Sequence, residues 1–224
     1  MKKIAVILHG PPGSGKGTQA DLLANRLNLI HFDTGKLMEG VVHDPKRQNK
    51  KLIRRERRLF DGGKLLTPSF VLREAEKDAR RIRKADWGVV LSGSPRTLYE
   101  AQGLLPVLEE LYGKKNVYIF ELAAPPVFSM KRNSLRLKCK MCGYNLLTAF
   151  YPGKHPKHCP VCGGLFYRRS LDRPEIIKVR LKEYEERTRP IFDFEKERGY
   201  KVHVVDARPA PYKVLEQILK RLPK

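Results

Sequence analysis

The sequence predicts an α/β fold, a doubly wound parallel sheet interrupted by two insertions. Three observations carry that expectation. Short apolar runs alternate with stretches of helical periodicity, a glycine-rich segment joins the first run to the first helix, and the intervals 34–68 and 132–171 break the rhythm. Strands that alternate with helices are joined by right-handed crossovers, which cover both faces of the sheet and leave its strands apolar throughout.

Residues 4–9 form the first apolar run, and residues 16–27 the first helix. A weaker run follows at 29–32. Helical stretches at 70–84, 98–112 and 175–196 each precede a buried-strand run, at 88–91, 117–122 and 202–205 respectively, and a helix at 211–222 closes the chain. The interval 34–68 is polar, rich in helix formers and without an obvious strand, whereas 132–171 holds many glycines and prolines and little helical periodicity. A chain of 224 residues suits one core with excursions. That core is expected in 1–33, 69–131 and 172–224. No apolar run approaches the roughly 20 residues of a membrane span. The opening Met1-Lys2-Lys3 and the apolar residues after it resemble a secretion signal, but glycines and Lys16 stand where its apolar stretch would continue, so a cytoplasmic protein is expected.

The net charge of +22 requires anionic partners. Nucleotide phosphates use only a few cations, and a nucleic acid is the rival partner. The densest run, 46–58, has eight Lys or Arg and one acid, Glu56, and reads first as a solvated helical face.

The segment Gly10-Pro11-Pro12-Gly13-Ser14-Gly15-Lys16-Gly17-Thr18 leaves an apolar strand and opens a helix. Its glycines let the backbone turn tightly with N–H groups pointing inward, the helix N-terminus adds its positive end, and Lys16 supplies a mobile charge for the terminal phosphates. The hydroxyl of this pattern comes one residue late, at Thr18, because Gly17 follows the lysine.

All four cysteines fall in two pairs, Cys139/Cys142 and Cys159/Cys162, with sixteen residues between the pairs and a glycine after each. Two such pairs close a tetrahedral thiolate site suited to a structural Zn²⁺, with no coordination position open for catalysis. Redox pairing is the weaker reading, and His155 and His158 are bystanders on a Pro-rich loop.

In order along the chain these motifs resemble the adenylate kinases. The run GPPGSGKGTQ at 10–19 is similar to the family's phosphate loop, Asp33-Thr34-Gly35-Lys36-Leu37 to the start of its acceptor helix, and Gly93-Ser94-Pro95-Arg96-Thr97 to its Gly-Phe-Pro-Arg-Thr segment. The cysteine segment resembles the metal-bearing lid of many bacterial members, and Arg180-Leu181, Tyr184 and Arg189-Pro190 the helix behind it. The resemblance implies a phosphate-loop core, an acceptor-binding insertion at 34–68 and a zinc-bearing lid at 132–171. It implies reversible transfer from Mg²⁺·ATP to AMP giving two ADP, by a monomer without membrane association. Another acceptor such as CMP, UMP or a deoxynucleotide is the runner-up, followed by a weakly active ATP-binding paralogue with RNA affinity.

By the same resemblance Gly13, Ser14, Gly15, Lys16, Gly17 and Thr18 hold ATP, Arg132 stacks on its base and Arg136 contacts its phosphates. Arg169 and Arg180 close on the transferred group, Arg96 holds the acceptor phosphate, and Thr34, Gly35 and Glu100 belong to the acceptor site. Lys16, Arg96, Arg136, Arg169 and Arg180 form the catalytic set. This chain departs from the family on the acceptor and metal side. Ser92 and Lys36 replace two acids assigned to hydrated Mg²⁺, Glu39 replaces an acceptor-binding arginine, Ser94 replaces phenylalanine and Glu100 replaces a base-reading glutamine. At the lid's tail only Asp172 remains of an adjacent acidic pair.

Overall fold

The computed structural model describes residues 3–146, 148–150 and 155–223. Residues 1, 2 and 224 of the expected core, and 147 and 151–154 of the expected lid, lie outside them. The first strand, β1 (Ala5–His9), runs through the phosphate loop into α1 (Lys16–Leu27) and back along β2 (Leu29–Phe32). The insertion follows with α2 (Thr34–Val42), a 3₁₀ turn and α3 (Lys51–Asp61), and the chain re-enters the core as α4 (Pro68–Lys84) and β3 (Gly88–Leu91). Then come α5 (Leu98–Tyr112), β4 (Val117–Ala123) and α6 (Pro126–Leu135). The lid is a small antiparallel sheet of β5 (Leu137–Cys139), β6 (Asn145–Leu146) and β7 (Phe166–Tyr167). The return runs through α7 (Pro174–Glu183) and α8 (Ile191–Glu197) to β8 (Val202–Asp206) and α9 (Pro211–Leu219).

The main sheet is parallel, in the order β2-β3-β1-β4-β8. Alternate residues of β1 serve opposite faces. Ala5 and Ile7 pack with Leu104, Leu105 and Leu108 of α5, while Val6 and Leu8 pack with Leu23 of α1 and Val214 and Ile218 of α9. Both faces are dry, which is why these strands read as unbroken apolar runs. Chain order departs from sheet order on either side of β1, so the crevice at the carboxyl ends of β1 and β3 is where an α/β sheet of this kind binds ligands.

Three local features differ from the sequence expectation. Helix α6 and the short lid strands were not foreseen. The helix expected over 175–196 is broken: after α7 the backbone makes one π turn at Tyr184–Thr188, in which the Arg189 N–H donates to the Tyr184 carbonyl five residues back, and Pro190 precedes α8. The wider turn lets the Thr188 hydroxyl donate to the Arg96 carbonyl at 2.8 Å. Among the described residues, no helix is long and apolar enough to cross a membrane.

The insertion has its own small core of Met38, Val42, Ile53, Leu66, Phe70 and Val71. Helix α3 turns Lys51, Arg54, Arg55, Arg57 and Arg58 outward and buries its one glutamate. Glu56 accepts the Thr67 N–H at 2.8 Å and the Thr67 hydroxyl, tying α3 to the start of α4. Replacing Glu56 by alanine leaves that half-buried N–H without its acceptor, which costs about 1–3 kcal/mol. We expect Glu56→Ala to unfold at a correspondingly lower urea concentration; an unchanged midpoint would show that the contact contributes nothing.

Candidate active site

The phosphate loop is built on backbone that only glycine adopts easily. Gly13 has φ +85° and Gly15 φ +96°, and a Cβ on Gly13 would lie 2.5 Å from Asn133 Nδ2 and 2.7 Å from the Ser129 carbonyl. The Ser14 N–H donates to the Pro11 carbonyl at 3.1 Å and closes the loop. The Lys16 ammonium folds back and donates to the Gly10 and Pro11 carbonyls at 2.7 and 2.8 Å. Ser14, Gly17 and Thr18 line the same cleft.

Four arginines reach this cleft from other parts of the chain: Arg96 beyond β3, Arg136 before β5, Arg169 after β7 and Arg180 on α7. With Lys16 they are only partly exposed. Burial holds the Lys16 ammonium well below its usual range, and Arg96, Arg180 and Arg136 depress it further against a small opposing pull from Asp33. Burial, then Arg136, Arg96 and Arg169, push Arg180 down to about 9. Such a cluster disfavours its own charge and is relieved by an anion.

Two carboxylates restrain the arginines. Asp172, itself buried, accepts from Arg136 Nε at 3.0 Å and also from its terminal nitrogen, and lies 3.7 Å from Arg180. A single acid therefore serves two arginines where the resemblance led us to expect an acidic pair. Glu39 pairs with Arg169 at 3.1 Å. An acid facing the acceptor phosphate would be repulsive, and this chain turns Glu39 onto a cation instead.

At the other end of the cleft Arg132 donates to the carbonyls of Ala207, Arg208 and Pro209. Its guanidinium lies 4.3 Å from the ring centroid of Phe128 and 5.3 Å from that of Phe150. Sequence reasoning missed Phe150, Asn133 and Glu183, which also line the cleft. Glu183 accepts the Leu65 N–H at 3.1 Å and so joins α7 to the insertion; its only sequence signal was its place beside Tyr184.

Of the expected acceptor residues, Gly35 and Arg96 line the cleft and Thr34 and Glu100 do not. Thr34 is buried with its hydroxyl unpartnered among the described residues. Glu100 is buried beneath the 94–97 turn, where it accepts the Arg96 N–H at 2.9 Å and the hydroxyls of Thr97 and Ser94. Burial raises its carboxyl pKa, and those hydrogen bonds oppose the rise. A T-x-x-E pattern at a helix start has capped α5 instead of facing a base.

The cysteines meet as their spacing implied. Their sulfurs all lie within 4.8 Å of one another, with Cys139–Cys162 at 3.4 Å and Cys142–Cys159 at 3.7 Å. Zinc–thiolate bonds of about 2.3 Å in a tetrahedron place sulfurs about 3.8 Å apart, so the residues present fit Zn²⁺. Each pair sits on a matching turn: the Gly143 N–H donates to the Cys139 carbonyl and the Gly163 N–H to that of Cys159, both glycines having positive φ. His158 donates to or accepts from nothing in the cluster; its Nδ1 lies 3.0 Å from the Gly163 carbonyl.

Two outcomes follow from this geometry. Cys159→Ser, or chelation of the wild type, should lower the melting temperature and loosen the lid while weak ATP binding persists; a melting curve indifferent to chelator would contradict a structural zinc. Lys16→Ala should cut ADP formation at least a hundredfold with little change in melting temperature, because the lysine satisfies no buried acid. Wild-type turnover in that variant would remove the loop from the chemistry.

The comparisons with known proteins agree with this arrangement. A family model described as adenylate kinase matches residues 8–200. An adenylate kinase of Caldicellulosiruptor bescii is 37% identical over 196 residues, covering 87% of each chain. That of Methanothrix thermoacetophila is 37% identical over 191 residues, 84% of this chain and 85% of its own. That of Archaeoglobus fulgidus is 30% identical over 221 residues, 97% of this chain and 98% of its own. With a phosphate loop, a converging set of arginines and a four-cysteine lid on one parallel sheet, the chain belongs to the adenylate kinase family of ATP-dependent nucleoside-monophosphate kinases.

Proposed function

We propose that this cleft transfers the terminal phosphoryl group of Mg²⁺·ATP directly to AMP, reversibly, with 132–171 closing as a lid and 34–68 holding the acceptor. The observation that carries this reading is the convergence of Lys16, Arg96, Arg136, Arg169 and Arg180 on one partly buried cleft. Binding ATP alone has no use for so many. Two phosphate chains brought end to end do, because transfer proceeds mainly through positioning and charge neutralisation.

In this reading residues 13–18 cradle the ATP phosphates, Lys16 follows the migrating group, and Arg132 faces the ATP base. Arg136, Arg169 and Arg180 neutralise the equatorial oxygens, for which a planar fork of donors is well suited. Arg96 holds the acceptor phosphate beside Gly35. The Glu39–Arg169 and Asp172–Arg136 pairs keep the arginines in place before substrate arrives. Mg²⁺ would enter with ATP as part of the substrate, and Thr18, which lines the cleft, would offer it a hydroxyl. Where the resemblance puts two acids, this chain offers Ser92 and Lys36, so its hold on the metal is weaker.

A coupled assay of ADP formation from ATP with AMP, CMP, UMP or GMP tests the substrate assignment. Turnover is expected with AMP and not with the others; a preference for another monophosphate would replace AMP in this account. A Mg²⁺ titration of the same assay tests the metal side. The wild type should require high Mg²⁺ and Ser92→Asp less, and identical saturation at low Mg²⁺ would show that position 92 does not bear on the metal.

A further inference from the structure

Ser92 directly follows β3, which pairs in parallel with β1 so that Leu91 stands beside Ile7. Adjacent strands lie about 4.8 Å apart, so the serine sits one strand across from the entrance of the phosphate loop. It is 6% exposed and lines the same cleft as Lys16, Thr18 and Arg96. Its hydroxyl is 2.7 Å from His31 Nε2, on β2. On the far side of the ring, His31 Nδ1 is 2.6 Å from Asp21 Oδ1, on α1. A carboxylate can only accept, so the Nδ1 proton lies toward Asp21 and Nε2 is left as the acceptor for the serine proton.

A hydroxyl, an imidazole oriented to take its proton and a carboxylate that fixes the imidazole's tautomer form the arrangement that activates a serine nucleophile. Three separate elements supply it, and the transfer of phosphate between nucleotides makes no use of it. It opens onto a cleft built to hold the phosphates of ATP. We propose that Ser92 is a phosphoryl acceptor, modified by the protein's own bound ATP when the acceptor-nucleotide site is empty; this rests on the ATP half of the proposed function.

In the step, His31 Nε2 takes the hydroxyl proton as Ser92 Oγ bonds to the γ-phosphorus. The bond from that phosphorus to the β,γ-bridging oxygen breaks, and ADP leaves with the bonding pair. Asp21 stabilises the imidazolium until its proton passes to solvent. The product, phosphoserine, carries about −1.5 to −2 charges at neutral pH. It arises in the cleft that Lys16 and Arg96 also line, where neither cation forms an ion pair among the described residues and Asp33 and Glu100 offset their charge only in part. That anion would occupy part of the phosphate site and lower kinase turnover.

The test is intact-mass analysis of the purified full chain after incubation with Mg²⁺ and ATP, without a nucleoside monophosphate, followed by peptide mapping. The same sample is assayed for ADP formation with AMP. The expected result is a gain of one phosphoryl mass, mapped to Ser92, absent in Ser92→Ala and slowed roughly 10²- to 10⁴-fold in His31→Gln, as removal of a general base implies. Peptide mapping of the wild type decides the question even if Ser92→Ala does not fold. A chain that makes ADP from AMP but gains no phosphate, or gains it on Thr18 or elsewhere, overturns the proposal and leaves the kinase reading intact. His31→Gln labelled as fast as wild type also overturns it, and a chain inactive toward AMP as well overturns both.

Discussion

Like charges crowded into one partly buried cleft are the constraint on which the rest of this molecule depends. At an effective dielectric of 20, two unit charges 4 Å apart repel by about 4 kcal/mol, and burial adds the cost of lost hydration. Lys16, Arg96 and Arg180 all feel both effects, which is why each holds its proton less tightly than usual. Left alone, long cationic side chains would swing apart into water. Here the sheet and its helices hold them: Lys16 by two loop carbonyls, Arg136 and Arg180 by Asp172, and Arg169 by Glu39. On the proposed reading, the arriving phosphate chains offset the repulsion that remains, so binding and catalysis draw on the same interaction.

The lid makes sense on these terms. Arg136 precedes β5 and Arg169 follows β7, so two of the cleft's arginines stand at the two stems of one small sheet. Strands of two or three residues bury almost nothing and cannot fix those stems by packing. A four-thiolate zinc site can, because its binding energy becomes folding energy for the segment that provides the ligands. On the proposed reading, a zinc ion held there would act on catalysis at a distance, by keeping Arg136 and Arg169 in register. The return from the lid adds a second constraint: the π turn after α7 carries Thr188 onto the Arg96 carbonyl, tying the acceptor turn to the lid's far stem.

Much of this was legible in the sequence because it depends on short local patterns. Five parallel strands, the phosphate loop and the two cysteine knuckles each follow from a period, a glycine spacing or a ligand spacing. The lid strands did not, since two or three residues are too few to show alternation, and α6 was hidden in a segment opening on Pro125 and Pro126 and ending beside the cysteines. The broken helix after Pro174 could not be read either, because a π turn leaves the apolar spacing nearly intact. Site chemistry was legible where it rested on a loop or a metal and less so where it rested on pairing. Glu100 matched a base-reading position and is buried as a helix cap, and Glu39 stood as an unexplained acid until Arg169 was found opposite it. The Glu39–Arg169 pairing joins positions 130 residues apart, and nothing local announces it.

A phosphate site in this cleft requires that a phosphate chain, rather than ionic strength in general, relieve its charge. Calorimetric melting of the unliganded protein with added inorganic tripolyphosphate, compared with sodium chloride at matched ionic strength, tests it directly. Specific binding stabilises by mass action, whereas screening acts on every exposed charge alike. The predicted result is a saturable rise in melting temperature with tripolyphosphate, well beyond that produced by chloride. Equal shifts with the two salts would mean that the five cations do not form a phosphate site, and the reading of the cleft would fall with them.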